Sequence, residues 1–199
     1  MAVIRPHDLL WGLTPTHLPA DAPAWVAAAL ADGQPVVVRR DAAAPGQVAV
    51  GVRGGQREQR YATHMPVAAI SRQLSPEALR HCVGQRDWPA LRVLYRLRPR
   101  LDESGWAWGV GGSAGFELAS GFTALHAGSD LDLIVRTPQP LAREQARELL
   151  ALLEEKVDVQ LQTPAGGVAL REWAGHGAKV LLKAADGARL VSDPWSLAP

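Results

Sequence analysis

Apolar positions along the chain recur with two periods, and the switches between them mark out the elements. Over 22–31, Trp25, Val26, Ala29 and Leu30 form one helical face, with Asp21 as N-cap, Pro23 in the first turn and Gly33 past the end. Residues 35–40 read as a strand. Residues 48–53 and 56–63 read as a hairpin about Gly54-Gly55. Ahead of these, 1–20 is broken by Pro6, Pro15 and Pro19, and an extended arm with one helical turn is expected there, packing Trp11 and its leucines on a core. Together these make a small α+β module over residues 1–74.

A second domain is expected over 75–199. Ser75-Pro76 starts a helix that stops near Gly84, and Asp87-Trp88-Pro89 starts another that Pro99 should bend or end. The apolar runs 106–110 and 133–135 are strands separated by a turn or helical segment. The strongest helix covers 141–155, with Leu141, Ala146, Leu149, Leu150 and Leu153 on one side. It leads into a strand over 156–161, and 179–184 with 188–191 form a hairpin about Asp186-Gly187. A strand–helix–strand crossover next to hairpins predicts a mixed sheet, so the fold class is α+β.

Composition narrows the setting. The 199 residues are 47% hydrophobic and 21% charged, an ordinary folded chain. No apolar run approaches the roughly 20 residues of a membrane helix, and the first residues lack a signal-peptide pattern. The single cysteine, Cys82, leaves no internal disulfide. A cytoplasmic protein without a membrane partner is expected. The overall charge of +1 hides a division. Residues 1–100 carry 13 Arg against 7 Asp and Glu, net +6, and residues 101–199 carry 8 Lys and Arg against 13 Asp and Glu, net −5. With no dense basic run or zinc-finger spacing, nucleic acid is not an expected partner. Arg39, Arg40, Arg53, Arg57 and Arg60 lie at strand ends or beside a turn. There they either converge on phosphates or act as edge-strand charges.

The candidate chemistry sits in 106–136. Asp130 and Asp132 lie two apart where a strand begins, so both point the same way while Leu131, Leu133 and Val135 point into a core. Adjacent carboxylates repel unless a cation lies between them, and Mg2+, with Mn2+ as the other choice, suits such oxygen ligands and phosphates. Gly111, Gly112 and Ser113 offer backbone N–H groups and a hydroxyl to phosphate oxygens. Asp158, between Val157 and Val159, adds a third carboxylate as metal ligand or base. Two histidines are weighed and set aside: His126 as packed or solvated, and His7-Asp8 as structural, because sequence neighbours seldom face one point.

Gly-Ser, then Asp-x-Asp, then a lone Asp on a later strand resembles the nucleotidyltransferase superfamily. The segment 111–136, with PHDLLW near the start, is similar to the malonate decarboxylase holo-acyl-carrier-protein synthase family, also called phosphoribosyl-dephospho-CoA transferase. The resemblance spans the chain. It implies transfer from triphosphoribosyl-dephospho-CoA to a serine of the malonate decarboxylase acyl-carrier subunit, with release of pyrophosphate. The paired aspartates of that family fall on Asp130 and Asp132, and Arg39 and Arg40 are taken as precursor-binding. The stretch from Ser113 to Asp130 is longer than the compact loop of the wider superfamily, which bears on the role of Ser113. Two other readings stay open: a nucleotidyltransferase acting on a small molecule, protein or RNA end, and a non-catalytic nucleotide- or partner-binding module. The second predicts loss of a carboxylate or of the Gly-Ser turn, and both are present.

Overall fold

The computed structural model describes residues 3–56, 58–153 and 156–196, which form two sheets. The first contains β1 (Leu9–Trp11), β2 (Val36–Val38), β3 (Gln47–Arg53), β4 (Arg60–Pro66) and β5 (Arg72–Leu74). They run in the order β4-β3-β2-β1-β5, all neighbours antiparallel. Helix α1 (Ala24–Ala31) buries Val26, Ala29 and Leu30 against Leu10, Val36, Val50 and Met65.

The expected arm is corrected here. Residues 9–11 are a strand inside the sheet, and only Pro15–His17 form a helical turn, of 3-10 type. Leu10 packs in the core under α1, whereas Leu9 packs in the core of the second sheet, so consecutive leucines serve opposite faces. Three residues are too few to display a period of two, and the surrounding prolines mask the strand.

The second half opens with a 3-10 turn (Pro76–Leu79) and helix α2 (Pro89–Glu103). Helix over the rest of 75–84 does not form. Leu79 is anchored in the core, but Val83 is 75% exposed, so no apolar face extends past the first turn. Pro99 lies inside α2 and does not end it; buried Leu94, Leu97 and Leu101 hold both sides of the missing N–H bond. There follow β6 (Ala107–Val110), α3 (Gly112–Ser120), β7 (Leu131–Arg136), α4 (Arg143–Ala151), β8 (Val157–Gln162), β9 (Gly167–Ala169), α5 (Leu170–Ala174), β10 (Val180–Ala184) and β11 (Gly187–Val191). Helix α4 is shorter than the predicted 141–155, and residues 154 and 155 lie outside those described.

The second sheet runs β11-β10-β9-β8-β7-β6. Its β7–β8 pair is parallel and the other pairs antiparallel, so the fold is α+β with a mixed sheet. One face is apolar: Leu131, Leu133, Val135, Val157, Val159 and Leu161 pack with the leucines of α2 and with Ala146 and Leu149 of α4. The two halves meet at Arg136, at the end of β7. Its Nε donates to Glu77 Oε1 at 2.6 Å and its Nη1 to the Pro6 carbonyl at 3.3 Å. Its Nη2 faces buried Asp8 Oδ1 at 3.6 Å. Arg40 adds a hydrogen bond to Gln162 Oε1 on β8. No helix among the described residues is long and apolar enough to cross a membrane.

Candidate active site

The site grows from the turn between β6 and α3. Gly111 donates its N–H to the Asp132 carbonyl at 2.9 Å, extending the β6–β7 ladder by one bond. Gly112 follows at φ 56°, and a Cβ there would lie 1.8 Å from Asp132 Oδ2. Only glycine lets the start of α3 close onto that carboxylate. The first N–H groups of α3 have no partner within the helix, which leaves positive partial charge beside Asp132 and Ser113.

Parallel pairing sets Asp132 directly beside Asp158, on strands about 4.8 Å apart. Asp130 lies just before β7, on the same side as Asp132. The Asp132 carboxyl is held above its ordinary range, first by burial and then by the charges of Asp158 and Asp130, with Arg53 opposing. This excess of negative charge fits a bound cation. Among the described residues no group of three His, Cys, Asp or Glu side chains is placed to hold a metal ion. An Mg2+ or Mn2+ ion would therefore draw on fewer than three of Asp130, Asp132 and Asp158 and complete its shell from substrate phosphate and water.

Positive charge comes from the first sheet. Arg53, at the end of β3, donates from Nη2 to Ser113 Oγ at 2.6 Å and to the Ala124 carbonyl at 3.1 Å. Burial, then the neighbouring Arg60, lowers its pKa to about 10, with Asp132 and Glu117 opposing, so it stays charged at neutral pH. Arg39 lines a cavity together with Arg53, Arg60, Ser113 and Asp132, but its Nη2 pairs with Asp41 at 3.2 Å. Arg40 is placed elsewhere, against Gln162 and Gly167 at the junction of the two halves. Of the five arginines singled out in the sequence, Arg53, Arg60 and Arg39 reach the cavity, Arg40 does not line it, and Arg57 lies outside the described residues.

The long stretch between Ser113 and Asp130 has a cause that the sequence did not signal: Glu117. Its carboxylate is 3% exposed and accepts from Ala124 N at 2.8 Å, Leu125 N at 2.9 Å, Trp88 Nε1 at 2.8 Å and Arg86 Nη1 at 3.2 Å. Burial works against its charge, but these donors outweigh it and hold the pKa below the usual carboxylate range. Glu117 thus pins the loop that delivers Asp130. A glutamate on a short helix carries no sequence mark of this task.

His7 and Asp8 face apart. Asp8 points to Arg136, while the His7 ring meets Gln162 Nε2 at 3.3 Å and lines cavities on both sides of Gly112 and Asp132. Burial first, then Arg40 and Arg136, lowers the His7 pKa to about 4, so the ring is neutral. His126 is exposed and takes the Gly128 N–H on Nδ1 at 3.1 Å, at the rim of the polar cavity.

Comparison with known proteins finds family signal in both halves of the chain. The model for the phosphoribosyl-dephospho-CoA transferase MdcG C-terminal domain matches residues 78–194, and that for its N-terminal domain matches residues 5–76. The chain belongs to the phosphoribosyl-dephospho-CoA transferase family. A relative of that name from Pseudomonas fluorescens strain Pf-5 is 63% identical over 194 residues, covering 96% of this chain and 93% of its own. Another from Pseudomonas putida strain W619 is 58% identical over 200 residues, covering 99% and 98%. One from Azotobacter vinelandii is 55% identical over 200 residues, covering 96% and 94%. No solved structure matches the chain. In this chain Asp130, Asp132, Asp158, Arg53 and Arg60 line one polar cavity.

Proposed function

We propose that the protein transfers the phosphoribosyl-dephospho-CoA group from triphosphoribosyl-dephospho-CoA to a serine of the malonate decarboxylase acyl-carrier subunit, with release of pyrophosphate. The observation that carries this reading is the facing of Asp132 and Asp158 across a parallel strand pair, with Gly112, Ser113 and Arg53 closing over them. Carboxylates opposite an arginine and a helix N-terminus supply both halves of a phosphate site: ligands for a cation and donors for oxygen. The relatives' name supplies the donor, and the resemblance of 111–136 supplies the acceptor.

Two cavities suit the donor. A polar one of about 350 Å³ is lined by Arg53, Arg60, Ser113, Asp130, Asp132 and Asp158, and is the place for the triphosphate. An adjoining one of about 460 Å³, with Leu9, Val37, Val52, Tyr61 and Phe116 in its wall, takes the less polar remainder of the donor. Arg53 and Ser113 hold leaving-phosphate oxygens. Asp158 takes the proton as the acceptor oxygen bonds to the α-phosphorus and the bond to pyrophosphate breaks. A dication held by Asp130 and Asp132, with Asp158 left to take the proton, would offset the charge that develops on those oxygens.

The deciding experiment is intact-mass spectrometry of the purified acyl-carrier subunit after incubation with this protein, the donor and Mg2+. A mass gain equal to the phosphoribosyl-dephospho-CoA group, with pyrophosphate in the supernatant, is expected. An unmodified carrier, or transfer from an ordinary nucleoside triphosphate instead, would replace this reading with that of another nucleotidyltransferase.

A further inference from the structure

Asp132 lines three cavities, and two of them are those proposed above for the donor. The third, of about 380 Å³, lies on the far side of Gly112 and Asp132 from Ser113. Asp158, Gln160, Ala169, Arg171 and Lys183 contribute to its wall. Its floor is the sheet face turned away from the leucine core. Register pairs Asp132 with Asp158, Gln160 with Ala169, and Lys183 with Gly167, so these residues share that face. Ala169, with only a methyl group, keeps the middle of the floor low, while Gly167 beside it is covered by the Arg40 guanidinium.

Past Lys183 the same face continues to Leu181 and its register partner Leu190, 38% and 62% exposed. They are two of the four exposed large apolar side chains among the described residues. An apolar pair left bare beside a reaction site fits a macromolecular partner; a small acceptor filling the cavity would not touch it.

We infer that this third cavity is the acceptor subsite, and that its occupant is a hydroxyl-bearing segment of a protein lying across Ala169 and Gln160, with the body of that protein seated on Leu181 and Leu190. The inference rests on the transfer reading above. In-line displacement needs the incoming oxygen and the departing pyrophosphate on opposite sides of the phosphorus. Ser113 and Arg53 fix the departing side, and this cavity is the opening on the other. Asp158 borders both cavities, which puts its carboxylate where the hydroxyl proton must go as the new O–P bond forms. Lys183, exposed at the outer end, suits a carboxylate flanking the serine on the acceptor.

The test uses Ala169→Trp, which fills the cavity from an exposed position, and Leu190→Asp, which breaks the apolar seat. For each, KM for the acyl-carrier subunit, kcat, and the donor Kd by titration calorimetry are measured. Both variants are expected to raise the carrier KM about tenfold or more, with the donor Kd within about twofold of wild type. Leu190→Asp should leave kcat unchanged. An unaltered carrier KM in both variants, or a donor Kd weakened as much as the carrier KM, would overturn the assignment. Failure of the wild-type protein to modify the carrier at all would overturn the transfer reading beneath it, and is distinguished because no variant is needed to see it.

Discussion

Arg53 Nη2 donates to Ser113 Oγ at 2.6 Å across the boundary between the two sheets, 60 residues apart in the chain. The arginine belongs to the antiparallel sheet and the serine to the helix beside the aspartates, so the proposed phosphate site is complete only when the halves are docked. Arg53→Ala should weaken donor binding about tenfold or more, on the scale of a lost charge-assisted contact. Arg53→Lys should recover only part, since an ammonium keeps the charge but lacks the planar guanidinium fork that bonds Ser113 and the Ala124 carbonyl and can also pair with phosphate oxygens. Calorimetric titration with the donor checks both.

Asp130→Ala and Asp132→Ala should each abolish transfer while leaving the fold intact. For Asp132 a pH signature follows. Its folded pKa is raised by burial and by Asp158 and Asp130, so ionisation costs stability once the pH climbs above the ordinary carboxyl value. Asp132→Asn should therefore raise the thermal midpoint of the metal-free protein at pH 7. The gain should shrink as pH falls through the raised pKa and vanish below about pH 4. A gain that is the same at pH 7 and pH 3.5 would remove the electrostatic account.

Asp158→Asn keeps size and hydrogen bonding but removes charge. Turnover should drop roughly a hundredfold or more, as is usual for a general base, with no loss of thermal stability, because Asp158 is exposed and its charge only repels Asp132. Normal turnover would leave a two-carboxylate site and assign the proton to another group.

Arg136→Met removes the counter-charge of Asp8 and Glu77 together. Asp8 is 1% exposed, and burial already pushes its carboxyl above the usual range. A loss of about 3 kcal/mol or more in urea unfolding is expected, the scale for a buried charge left alone. Adding Asp8→Asn should return part of it. Additive losses in the double variant would mean the two residues are not coupled.

Glu117→Gln keeps the shape of the side chain but replaces one acceptor oxygen with a donor facing N–H groups. Loss of about 2 kcal/mol of stability is expected, from a buried donor left unsatisfied, together with reduced turnover through displacement of Asp130. The wild-type contribution has its own pH course. With a depressed folded pKa, Glu117 stabilises fully above the ordinary carboxyl range and progressively less as pH falls through the folded value. Stability curves of the wild type and variant should converge in acid.

The sequence by itself determined the elements whose pattern is long enough to show a period: α1, the β3–β4 hairpin (with its second strand beginning at Arg60 instead of residue 56), α4, and the β10–β11 hairpin. It also determined the pairing of Asp130 with Asp132 on one face, since alternation along a strand is a local property of the backbone. The length of the crossover through α4 was enough to suggest Asp158 as their neighbour, and the register shows it beside Asp132. What tertiary structure alone decided is contact between residues far apart in the chain. Leu9–Trp11 is too short to announce itself, and becomes a strand because β2 and β5 offer hydrogen-bonding edges on both sides. Arg53 and Arg40 look alike in sequence, both arginines at strand ends, yet one meets Ser113 and the other Gln162. Glu117 carries no motif, and its task exists only because four donors from separate segments fold around it. Local periodicity reports which face of an element is buried. Which distant side chain fills a given point on that face depends on how the two sheets are docked, and that is set by burial and by charges such as Asp8, Glu77 and Arg136 finding one another across the fold.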